Sequence, residues 1–173
     1  MSQDRLNELL EQLQKGHMEF FDEFYERTKR GVYLSAYSIL HEEGETENVL
    51  QDTYIKFLEK LPTLRKDKSV LAYLMSTARN LAINLSKERS RISYELDPSL
   101  IPAEEEKNDT HVFEVMGKVL TQKEEQIVLM HSIYEMGHKE IAEAIHMPLG
   151  SVTWAYNNAI KKLRKELEKD GYQ

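Results

Sequence analysis

The chain lacks cysteine altogether. That excludes disulfides and thiolate metal sites. Turn formers are scarce, with seven glycines and four prolines among 173 residues. Such scarcity argues against a β-sandwich and against a low-complexity chain. No apolar run has the length that crosses a bilayer, so no membrane insertion is expected. The opening residues, Met1 to Leu6, carry no apolar core of a signal peptide, and a cytoplasmic protein is the expectation. What the chain does have is 40% hydrophobic and 31% charged residues, which suits a mostly helical protein.

The net charge is −7. Segment 95–109 holds six acids (Glu95, Asp97, Glu104, Glu105, Glu106, Asp109) against Lys107, a net of −5 that leaves −2 for everything else. Bases gather instead at Arg79 to Arg91 and Lys161 to Lys169. Asymmetry of this kind says more about partners than the total does.

Hydrophobic spacing predicts an all-α fold of two small helical domains. Leu6, Leu9, Leu10 and Leu13 mark a first short helix, and Met18 to Leu40 a second. A third shows Leu50, Thr53, Phe57, Leu58 and Leu61 on one face and stops at Pro62. Ser69 is placed to cap a fourth, whose stripe is Leu71, Leu74, Ala78, Leu81, Ala82 and Leu85. Two X-Pro steps and three consecutive glutamates then read as an acidic flexible linker. The expected division is 1–92, a linker over 93–109, and 110–173. In the second domain Val112, Met116, Val119 and Leu120 share a face, and Thr121 with Glu124 forms a capping box.

The last segment has the pattern of a helix-turn-helix. Lys139 to Ile145 is a short helix, His146 to Gly150 the turn, with Gly150 suited to positive φ, and Ser151 an N-cap for a longer helix. That helix turns Val152, Tyr156, Ala159, Ile160, Leu163 and Leu167 inward. Its other face offers Ser151, Thr153, Trp154, Asn157, Asn158, Lys161 and Arg164. A helix so placed can enter the major groove, where Asn suits adenine and Thr a thymine methyl. A plain packing hairpin fits the same pattern, and Trp154 suits either core or contact. A second polar stripe lies on the fourth helix: Asn80, Asn84, Lys87 and Arg91, with Arg79 beside it. It suits base and phosphate contact, or equally an ordinary solvated face.

Four segments, in order, resemble bacterial RNA polymerase sigma factors of the extracytoplasmic-function (ECF) type. They are Phe20-Phe-Asp-Glu-Phe-Tyr25, Glu45-Thr-Glu-Asn-Val-Leu-Gln-Asp-Thr-Tyr54, Ala72 to Asn84, and Tyr134 to Ile145 with Gly150-Ser-Val. The resemblance implies that Glu47, Asn48, Gln51 and Asp52 dock on the clamp helices of the polymerase β′ subunit. It implies that Arg79, Asn80, Asn84, Lys87 and Arg91 face the minus-ten promoter element. The loop with Leu64, Arg65, Lys66, Lys68 and Ser69 would capture a flipped base. The helix from Ser151 would read the minus-thirty-five element. Core RNA polymerase and promoter DNA are the implied partners, and an anti-sigma factor is compatible. The acidic charge then fits, because much of the DNA contact comes from the enzyme, and the free chain should bind duplex weakly. The resemblance breaks at Thr153, Trp154 and Ala155, where the family carries a Lys-Ser-Arg run.

Two other classes compete: a two-domain helix-turn-helix regulator, and an interaction module that binds polymerase or an anti-sigma factor with weak DNA reading. An enzyme is not expected, nor a cofactor, a metal or a small-molecule substrate. The six histidines lack ligand spacing, and no Gly-rich phosphate loop or nucleophile–base pair stands out.

Overall fold

The structure, a computed structural model, describes residues 3–65, 69–96 and 111–171. The expected flipped-base residues Lys66 and Lys68 and most of the expected linker lie outside those residues. The first half comprises α1 (Gln3–Gln14), α2 (Phe21–Leu40), α3 (Glu43–Lys60) and α4 (Val70–Leu96). The second comprises α5 (His111–Val119), α6 (Gln122–Ser132), α7 (His138–Ala144) and α8 (Leu149–Lys169). Short 3-10 turns precede α2 and follow α3, and the described residues contain no strand. α4 continues through 93–96, into the expected linker.

Local chemistry sets the boundaries. The left-handed His41 (φ 57°) ends α2, its N–H reaching the Tyr37 carbonyl at 3.0 Å. The Glu42 carboxylate starts α3 by accepting from the N–H groups of Gly44 (3.0 Å) and Glu45 (2.7 Å). The Ser69 hydroxyl accepts from the Ala72 N–H, as a cap should. The Thr121–Glu124 capping box is present with both of its reciprocal bonds.

The Leu6, Leu9, Leu10 and Leu13 stripe of α1 is buried against the bundle. Phe24 of α2 stacks on Phe57 of α3 with ring centroids 4.8 Å apart, and Tyr54 fixes its hydroxyl 2.6 Å from that of Thr28. Two expected core positions are surface ones. Leu58 is 37% exposed, because Tyr54 and Phe57 take the inward arc and the next residue points about 100° away from Phe57. Val112 is 38% exposed in the first turn of α5. The turn before α8 is also built differently from the expectation. His146 carries the positive φ (53°), Pro148 caps α8, and Gly150 and Ser151 already lie within its first turn. Pro148 fits, since its missing N–H is no loss where no helical partner exists.

α2 is central. It packs on α1, α3 and α4 of its own half, and on α5 and α6 of the other. The two halves therefore share an interface.

Candidate nucleic-acid interface

α3 presents Glu47, Asn48, Gln51 and Asp52 on one exposed face. Ile55, 55% exposed, and Leu58 continue that face in i, i+3, i+4 steps. Sequence periodicity missed both; an apolar residue on the far side of an already filled stripe was the available signal.

On α4 the stripe Asn80, Asn84, Lys87 and Arg91 is exposed, as the spacing required. Arg79 is not. It is buried between the halves, where its guanidinium pairs with the Glu125 carboxylate of α6 and lies 3.4 Å from the Leu120 carbonyl. Next to it, the Gln126 amide nitrogen donates to the Ala72 carbonyl (3.1 Å) and the Ser76 hydroxyl (2.6 Å). Tyr134 reaches across to α2, donating to the Thr28 carbonyl (2.7 Å) and accepting from the Gly31 N–H (2.9 Å). Burial pushes its phenol above the usual range, with the Gly31 N–H opposing, so the hydroxyl keeps the proton it donates. At Gly117 of α5 the backbones meet so closely that a Cβ would overlap the Ser38 carbonyl. These contacts set the second half against α2 and one flank of α4.

On α8 the face expected to meet DNA divides in two. Trp154 is 68% exposed, so the core alternative is excluded; Leu149, Ser151, Asn157 and Lys161 are exposed with it. The first turn of α8 carries no acid, which leaves its positive dipole end uncompensated. Asn158 instead donates to Glu124 at 2.7 Å, and Lys162 pairs with the same carboxylate at 2.8 Å. Burial disfavours the charge on Glu124, but Lys162, the Thr121 N–H and Asn158 outweigh it and hold the carboxyl below its ordinary range. Thr153 is half-buried, its hydroxyl 3.3 Å from the His138 ring nitrogen. His138, His131 and Tyr156 form a ring cluster with centroids 4.7–5.3 Å apart that supports the helix from behind. Between α6 and α8, beside Trp154 and Met147, lies an open cleft of about 620 Å³.

At the turn after α3, Leu64 and Arg65 stand beside Ser69, lining a small cavity with Tyr73 of α4. No group of three or more His or acidic residues with metal-binding geometry occurs among the described residues. None of the helices in the structure is long and apolar enough to cross a membrane.

Comparison with known proteins fits both halves. The Sigma-70 region 2 family model matches residues 24–92, and the Sigma-70 region 4 model matches 118–163. The chain belongs to the sigma factors, of the ECF type. It is 23% identical to the ECF RNA polymerase sigma factor SigX of Bacillus subtilis (strain 168), over 87% of this chain and 84% of that protein. Its fold is that of CnrH in the complex with the cytosolic domain of CnrY (TM-score 0.64, 21% identity, 95% of this chain and 97% of the other). It is also that of the sigma factor RpoE bound to the anti-sigma factor NepR from Bartonella quintana (TM-score 0.57, 17% identity, 86% and 96%). Region 2 of the sigma factor thus covers α2 to α4, with Arg79 inside it. Region 4 covers α6, α7 and most of α8, with Trp154 on its surface.

Proposed function

We propose that this sigma factor docks on core RNA polymerase through the exposed α3 face, and that its two regions read promoter DNA only after they separate. The observation that carries this reading is Arg79. It lies in the segment that resembles the family's minus-ten reader, yet the closed chain holds it in a buried ion pair with region 4.

Glu47, Asn48, Gln51 and Asp52 supply polar docking contacts, and Ile55 and Leu58 add apolar area at one end. Asn80, Asn84, Lys87 and Arg91, joined by Arg79 on opening, face the minus-ten element. Leu64, Arg65 and Ser69 border the cavity that takes a flipped base, a step whose stacking cost the site must offset. In region 4, Ser151, Trp154, Asn157 and Lys161 enter the minus-thirty-five groove at the uncompensated end of α8. Asn158 and Thr153 act indirectly, by holding α8 to α6 and α7. Trp154 offers an apolar face suited to thymine methyls, where the family's basic run offers charge. The chain works without catalysis of its own, in the cytoplasm, and an anti-sigma factor is a compatible partner for the closed form.

The experiment is transcription in vitro with core polymerase, followed by sequencing of RNA 5′ ends. Added chain should produce start sites sharing two upstream elements, and Trp154→Ala should weaken those with a strong distal element by roughly tenfold. No initiation above core enzyme alone would favour the interaction-module alternative.

A further inference from the structure

The cavity after α3 is not built by region 2 alone. It is about 200 Å³, bounded by Leu10 of α1, by Leu64 and Arg65 of the turn, and by Ser69, Val70 and Tyr73 at the start of α4. That is below the roughly 300 Å³ at which pockets for drug-sized ligands begin, so it suits one planar ring and not a whole nucleotide. Leu10 and Val70 are buried and form a fixed apolar floor. Tyr73 adds an aromatic wall of the kind that stacks on unpaired bases.

Within itself the turn is closed by the Leu64 N–H to the Leu61 carbonyl (3.4 Å) and by the Thr63 hydroxyl to the Lys60 carbonyl (2.9 Å); one side chain ties it to α1. The Gln14 amide nitrogen, at the last residue of α1, donates to the Leu61 carbonyl (2.9 Å) and to the Leu64 carbonyl (2.8 Å). These two carbonyls bracket the 3-10 turn Leu61–Thr63, just where the chain leaves α3 and becomes extended at Leu64. One amide therefore ties both ends of the turn to α1, and with them Leu64 and the Arg65 that follows. Gln14 and Leu10 both lie outside the residues matched to region 2.

We infer that α1 is part of the base-reading apparatus: Gln14 is a positioning residue that fixes the pocket for an unstacked non-template base, and Leu10 forms its floor. This rests on the reading of the turn as the base-capturing loop. Without the Gln14 amide the Leu64 carbonyl must find water and the Leu61 carbonyl keeps only the long bond from the Leu64 N–H, so the turn loses its tie to α1, relaxes outward, and the pocket loses its fit to a ring.

The test uses full-length chain with core polymerase on a promoter it transcribes. Abasic sites are placed one at a time through the minus-ten non-template strand, and the position most costly to wild type is taken as the captured base. Gln14→Met keeps the length of the side chain but no donor; Gln14→Glu sets a carboxylate against both carbonyls. Each should lower initiation about fivefold on intact DNA. Each should leave it equal to wild type on DNA abasic at the captured position, with binding to core polymerase unchanged. Equal losses on both templates, or no loss on either, would overturn the inference. A wild type indifferent to every abasic site would overturn the base-capture reading itself.

Discussion

Gly117→Val should separate the two regions of the free sigma factor while leaving each one folded. The reason is steric and cannot be relieved by a rotamer. A Cβ at this position of α5 would overlap the Ser38 carbonyl, and that carbonyl belongs to the backbone of α2, in the last turn of a 20-residue helix. Overpacking against side chains costs about 1–3 kcal/mol, and a backbone carbonyl gives way less readily than a side chain, so the cost here is at least of that size. Region 2 keeps its Phe24–Phe57 stack and leucine stripe, and region 4 keeps its Glu124 bonds, so the chain escapes by opening at the interface. Small-angle scattering reads this directly. A compact chain of this length has a radius of gyration near ~16 Å, and the variant should exceed it by several ångströms with unchanged helical dichroism. An unchanged radius, or a loss of helicity, would contradict the packing described.

Glu125→Ala and Arg79→Ala should both open the chain yet move transcription in opposite directions. Each variant strands the other partner, with Glu125 1% exposed and Arg79 8% exposed. Removing one member of a buried pair costs roughly 3–5 kcal/mol, and separation of the halves returns the orphan to water. The contact has a weakness of its own, since the side-chain oxygen Oε1 of Gln126 is buried with no partner among the described residues. In Glu125→Ala the freed guanidinium meets the minus-ten strand, so core-dependent initiation should hold or rise. In Arg79→Ala the contact with DNA is gone, and initiation should fall about tenfold or more. Run-off transcription with the pair of variants decides. Equal losses would make Arg79 a structural residue only.

Most of this fold is legible in the sequence, because its signals are local. The α1 leucines, the Ser69 cap and the Thr121–Glu124 box each need only a few neighbouring residues to be recognised. The interface is not legible, because Arg79 and Glu125 are 46 positions apart and no periodicity links them. One signal was there to find: α6 is buried continuously from Glu124 to Met130, so its acids had to face protein and not water. The exposed α8 face was half legible. Trp154 and Asn157 lie where spacing put them, but Asn158 is claimed by Glu124, a carboxylate from another helix. Gln14 gave no hint, since a glutamine at the end of an amphipathic helix normally faces solvent.

The proposed mechanism needs the two regions stowed together in the free chain and apart when bound to polymerase. The absence of cysteine makes this measurable, because Asp22→Cys and Lys165→Cys, at exposed positions in the two halves, would carry the only two labels. Energy transfer between them should be high and uniform in the free chain and should fall sharply on adding core polymerase. Transfer that is already low in the free chain, or that stays high in a polymerase complex competent for initiation, would contradict it.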